Sequence, residues 1–138
     1  MSPMDGLRRV DDLAHHQLIM EFDTFVVARL ITGPTPPQFT EQQEREAQDA
    51  HLAHIADMWA SGQLIAAGPA SGPEGLRGFS IFICSLDAAR ALADSDPSVL
   101  NGTFVNEYAV WRAPRAMIVP GPGIPPRSVA DVMGAGNA

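Results

Sequence analysis

Residues 41–69, EQQEREAQDAHLAHIADMWASGQLIAAGP, open polar, turn amphipathic with no Gly or Pro, and close in a short apolar run before Gly-Pro. Thr40 followed by Gln43 has the form of a capping box, in which each side chain satisfies a backbone N–H of the first turn. The spacing predicts a helix over 41–61, stopped near Gly62, and a strand over 63–69. At about 100° per residue, His51 falls between Met58 and Ile55 on an apolar arc that Trp59, Leu52 and Ala56 continue. His54 lies between Met58 and Asp57 on the polar margin. One histidine is therefore expected to look inward and the other outward, and with no third ligand at matching spacing no metal site is expected.

The first half of this helix is polar on the side that should face in, because Glu44 and Gln48 share the arc of His51. Burying a carboxylate in a dry core costs several kcal/mol unless it is paired. The helix is thus expected to overhang a polar cleft or its rim. From helix position alone two readings of His51 stand: an imidazole bonded to a backbone carbonyl at the edge of the core, or a proton-transfer group in the cleft.

Outward from this helix, FVVARLI (25–31) reads as a strand that ends at the turn composition TGPTPP, and FSIFIC (79–84) as another after the loop ASGPEGLRG. Ser85 can cap a helix LDAARALAD (86–94), with Asp87 near its positive end and a stop before Pro97. TFVNEYAVW (103–111) alternates as a strand, with Phe104, Asn106, Tyr108 and Val110 on one face and Val105, Glu107, Ala109 and Trp111 on the other. The order β-α-β-β-α-β predicts an α+β, ferredoxin-like sheet with two helices on one face. Apolar residues on both faces of the first, third and fourth strands require cover on the far side too. A second copy is expected to supply it, giving a homodimer packed sheet to sheet.

Residues 21–112 form the expected domain. Residues 1–20 are an N-terminal extension, with a short amphipathic helix over 1–19 and a solvated pair His15 and His16. Residues 113–138 are a Pro/Gly-rich tail outside the fold, from which Met117, Ile118 and Val119 can dock on a surface, the alternative being a terminus that lies along the dimer or covers a pocket mouth. A net charge of −7, with nine scattered basic residues that are all arginine, leaves no footprint for a phosphate backbone, so no nucleic-acid partner is expected. The one cysteine, Cys84, excludes an internal disulfide and a Cys-rich zinc site. It reads as a buried strand thiol in a reducing, cytoplasmic setting. The N-terminus has acids and no long apolar run, so neither a signal peptide nor a membrane span is expected. GPEGLRG lacks the spacing of a phosphate loop and precedes a strand, and with no other cofactor motif in the chain no cofactor is expected.

Two stretches taken together resemble a known family. AHLAHIADMWASGQLIAAGP, followed by a strand and then SLDAARALADSDPSVLNGTFVNEYAVW, is similar to the YCII-related proteins, small members of the dimeric α/β-barrel superfamily. The shared elements are a His-Leu helix leading to Gly, Leu and Gly-Pro, and an Asp-Pro followed by Gly before the last strand. The resemblance spans residues 25–112. It implies a pocket histidine at His51 and an acidic partner at Asp96, whose own local reading is a turn-forming Asp-Pro. Where the family often carries an arginine three residues before the histidine, this chain has Gln48.

A carboxylate on one imidazole nitrogen fixes the tautomer, so the other nitrogen can take a proton. The resemblance thus implies a cofactor-independent acid/base enzyme, a lyase, cyclase or isomerase, acting on a small apolar cyclic or aromatic metabolite. His51 and Asp96 would be catalytic, and Gln48, Glu44, Arg29 and Tyr108 would contact substrate. Arg29 can equally be a strand-edge charge, and Tyr108 a core aromatic. The alternatives from other classes are a non-catalytic small-molecule-binding or accessory protein with the same pocket, and a purely structural dimer.

Overall fold

A computed structural model describes residues 20–136. The expected N-terminal helix, with His15 and His16, lies outside the described residues. The elements are β1 (Phe22–Thr32), α1 (Glu41–Ala60), β2 (Leu64–Pro69), β3 (Leu76–Phe82), α2 (Leu86–Asp94), a single turn α3 (Pro97–Leu100), β4 (Phe104–Pro114) and α4 (Val129–Gly136). The sheet order is β2-β3-β1-β4, with every pairing antiparallel. Two β-α-β units interleave, each placing one strand between the ends of the other, and the result is the ferredoxin-like fold.

Local signals start both main helices. Thr40 Oγ1 accepts from the Gln43 N–H at 3.2 Å, and Gln43 Oε1 accepts from the Thr40 N–H at 2.9 Å, completing the capping box. Ser85 Oγ accepts from the Ala88 N–H at 3.1 Å and caps α2. At its far end α1 stops where Gly62 takes φ +81°, a backbone geometry that favours glycine.

Alternation along the strands sorts the core into two layers. Val26 and Ala28 of β1 and Phe82 of β3 point toward the helices and pack with Met58, Leu64, Ala89 and Ala93. Phe25, Ile65 and Ala113 form a smaller cluster on the opposite face, joined by Ile81 and Ile118. That face also carries Phe79, Val105 and Trp111, each about two-fifths exposed. Near the site, Gly33 donates its N–H to the Thr103 carbonyl at 2.8 Å, and a Cβ at Gly33 would run into the Gly102 carbonyl oxygen. This close backbone approach sets the 33–40 loop beside the start of β4.

The strand ends differ from those the apolar runs announce. β3 begins at Leu76, inside the expected loop, and ends at Phe82, so Cys84 sits in the bend before α2 and not in a strand. There it is half-buried, and burial pushes its thiol above the ordinary range. β4 continues to Pro114 because its full length pairs with β1, from Thr32 opposite Phe104 to Phe22 opposite Pro114. Beyond it the chain does not stay apart from the fold as expected of a Pro/Gly-rich tail. Of the three residues expected to dock, Ile118 packs into the smaller cluster while Met117 and Val119 stay exposed. No helix among the described residues is long and apolar enough to cross a membrane.

Candidate active site

Asp96 and His51 meet across 45 residues of sequence. The Asp96 backbone is the N-cap of α3, with Pro97 in the first turn, where its missing N–H costs nothing. The capping oxygen Oδ1 accepts from the Ser98 N–H at 2.8 Å and from the Ser98 hydroxyl at 2.7 Å. The other oxygen, Oδ2, accepts from His51 Nδ1 at 2.7 Å. The Asp-Pro turn and the acidic partner of His51 are thus one structure. Asp96 and Ser98 are each only 4% exposed, so every bond here forms out of bulk water.

Burial by itself would raise the Asp96 carboxyl. The hydrogen bond and charge of His51, with the N–H and hydroxyl of Ser98, outweigh it and hold the carboxyl below the usual carboxylate range. An ionised carboxylate only accepts, so the proton between the two residues belongs to His51 Nδ1. Ser98 Oγ, at 3.1 Å from the same nitrogen, is a second acceptor for that proton. Nε2 is therefore the basic nitrogen of the neutral ring, and no described residue bonds it. Phe104 lies against the ring with centroids 5.9 Å apart and a tilt of 54°.

His51 opens on a cavity of about 610 Å³. Its apolar walls are Pro36, Pro37 and Phe39 of the loop before α1, Phe104 of β4, and Val129. Its rim is polar: Glu41, Glu44, Arg45 and Gln48 of α1. The expectation of a polar overhang is met here, with Glu44 and Gln48 exposed at the mouth and His51 half-buried beneath them.

Two other expected contact residues stand elsewhere. Arg29 points to the sheet face opposite the helices and pairs with Glu107, its register partner on β4, at 3.1 Å. Tyr108 faces the helices but donates its hydroxyl to Asp94 Oδ1 at 2.6 Å under the Arg90 guanidinium, and does not line the cavity. Burial and the Asp94 carboxylate raise its phenol, which stays protonated.

His54 also departs from the outward placement expected of it. It is half-buried, and its Nε2–H donates at 2.8 Å to the Leu92 carbonyl in the last turn of α2, which also accepts from the Ser95 hydroxyl at 2.7 Å. The backbone-bonded histidine is therefore His54, whereas His51 has a carboxylate partner. Sequence reasoning missed Ser98, Phe104 as a wall, and Val129. The signal for Ser98 lay in Asp96-Pro97-Ser98, since an Asp cap followed by Pro leaves the next N–H to the cap.

The model of the YCII-related domain matches residues 27–113 of this chain. The chain belongs to the YCII-related family. Among solved structures, the YCII-related chain is similar to the 5-chloro-2-hydroxyhydroquinone dehydrochlorinase of Burkholderia phenoliruptrix AC1100 in complex with 2,5-dihydroxybenzoquinone. That similarity has 22% identity and a TM-score of 0.46, covering 64% of this chain and 92% of the other. No curated protein gives a significant match. The family match ends at residue 113, so Val129 lies outside it.

Proposed function

We propose that this YCII-related protein is a cofactor-independent acid/base enzyme, a lyase, cyclase or isomerase, acting on a small apolar cyclic or aromatic metabolite. The observation that carries the reading is the 2.7 Å bond from His51 Nδ1 to buried Asp96, which leaves Nε2 as the basic nitrogen of a residue lining the cavity. Nε2 takes a proton from a carbon acid, and Asp96 stabilises the imidazolium that results. The electron pair left on the substrate then expels a leaving group, closes a ring, or is reprotonated at another atom. Apolar walls of Pro36, Pro37, Phe39 and Phe104 under a polar rim suit a flat ring bearing oxygen substituents.

The test is product analysis by mass spectrometry, in D₂O, on a panel of hydroxylated and halogenated aromatics, unsaturated lactones and cyclic ketones. A new product or deuterium incorporation that requires His51 is expected. Binding without either, or turnover equal in His51→Gln, overturns the reading, and the former assigns the chain to the binding class.

The homodimer belongs to the same proposal. Phe79, Val105 and Trp111 stand half-exposed on one sheet face, and a second copy would cover them. Sedimentation velocity at micromolar concentration is expected to give a dimer that Phe79→Glu splits. A monomer in the unmodified protein would overturn this part.

A further inference from the structure

The segment after β4 takes a definite path. From the face opposite the helices, where Ile118 joins the smaller apolar cluster, it continues through Gly121, Gly123 and Ile124, which line a second cavity of about 390 Å³ together with Ile55, Trp59 and β2. It then runs along α1 toward the cavity. Arg127 sets both terminal nitrogens on Asp57 Oδ1 at 2.9 and 2.7 Å, and the Val129 N–H donates to Asp49 Oδ1 at 2.8 Å. Ser128 Oγ accepts from the Asp131 N–H at 3.1 Å, and Asp131 accepts from the Arg127 N–H at 3.0 Å, so α4 caps its own start. The strap ends with Val129 in the wall of the cavity that holds His51.

We propose that residues 127–136 form a movable wall of the His51 cavity, in which Val129 sets the size of ligand admitted and Asp49 and Asp57 hold the wall in place. An eight-residue helix is too short to persist alone in water, so α4 depends on its docking to α1. That docking buries little apolar surface: Val132 is 46% exposed and Met133 63%. The polar clamps therefore carry most of it: the Arg127–Asp57 pair is exposed and the Val129–Asp49 bond half-buried, and two such contacts are weak enough to release and re-form. Asp49 and Asp57 lie on α1 inside the span matched by the family, while the part they hold lies beyond it.

The inference rests on the cavity being the ligand site proposed above, but its test needs no turnover. Carbethoxylation of His51 by diethyl pyrocarbonate, and acylation by the bulkier di-tert-butyl dicarbonate, are followed by peptide mass mapping with His54 as the internal control. Ending the chain after Pro126, which keeps Ile118 and Ile124, is expected to speed His51 modification about fivefold, the factor that roughly 1 kcal/mol of contact represents. Asp49→Ala combined with Asp57→Ala should do the same. Val129→Ala should raise the ratio of bulky to small reagent at His51, and Val129→Trp should lower it. Unchanged His51 rates in all variants, or rates that rise equally at His54, overturn the proposal. Should the wall respond as expected while no substrate is ever turned over, the catalytic reading fails and the wall stands.

Discussion

His51→Gln is expected to lower turnover about 10²–10⁴-fold, the range that a positioned acid/base group contributes, with KM changed far less. Glutamine can reach toward Asp96 with its amide N–H, so the buried carboxylate keeps a donor besides the Ser98 N–H and hydroxyl. It has no titrating nitrogen to accept a proton. Rate and fold should therefore separate: turnover collapses while the thermal midpoint moves little. Alanine would mix the two, since it leaves Asp96 without one of its three donors. Steady-state kinetics on the substrate found by product analysis, beside thermal melts of the same samples, make the measurement. Full activity in the glutamine variant would reduce His51 to a tether between α1 and α3.

The helices and the site differ in how much of each the sequence carries, and the difference follows sequence distance. Thr40 with Gln43, and Ser85 before α2, mark helix starts through bonds that close within four residues, so both starts could be read directly. The orientation of His51, too, was legible from the wheel. The strand ends were not: Leu76 opens β3 straight after a Gly-rich loop, and only pairing with Ile31 of β1 makes it a strand residue. Arg29 and Tyr108 show the same limit. Alternation gives each a face, but not which face the helices cover. Nor does it show that Tyr108, about 13 Å along the strand from Phe104, is past the cavity.

What stayed hidden was tertiary. Asp96 stands 45 residues from His51, and nothing local to either announces the bond; only the family resemblance joined them. The order beyond β4 depends on Arg127 meeting Asp57, 70 residues away, and on the Val129 N–H meeting Asp49, 80 residues away. Its composition alone reads as a linker. His54 was misplaced for a related reason, because the wheel knows only one helix, and its polar margin is where the end of α2 arrives.

Asp96→Asn tests the other half of the pair, and here rate and stability are expected to fall together. The amide keeps one oxygen, which can serve Ser98 or His51 but not both. If its NH₂ faces His51, Nδ1 must accept, the ring proton moves to Nε2, and the proton-accepting nitrogen is lost. If it faces Ser98, the Ser98 N–H meets a donor inside a buried site. Either way a charge-assisted bond disappears, worth about 1.5–3 kcal/mol, and turnover is expected to drop, by about the same factor as in the His51 variant where the NH₂ faces His51.

The pH dependence gives an independent check. The folded Asp96 carboxyl sits below its unfolded value, itself about 3.9, so its stabilisation is fully present above the unfolded value and is lost as pH falls on through the lower, folded one. Denaturant unfolding should thus show the full gap between the two proteins near about pH 7, and a gap that narrows below about pH 4. A gap that stays constant through the acid range would mean that the carboxylate charge contributes nothing to holding His51. The tautomer argument would fall with it, because it requires an ionised Asp96.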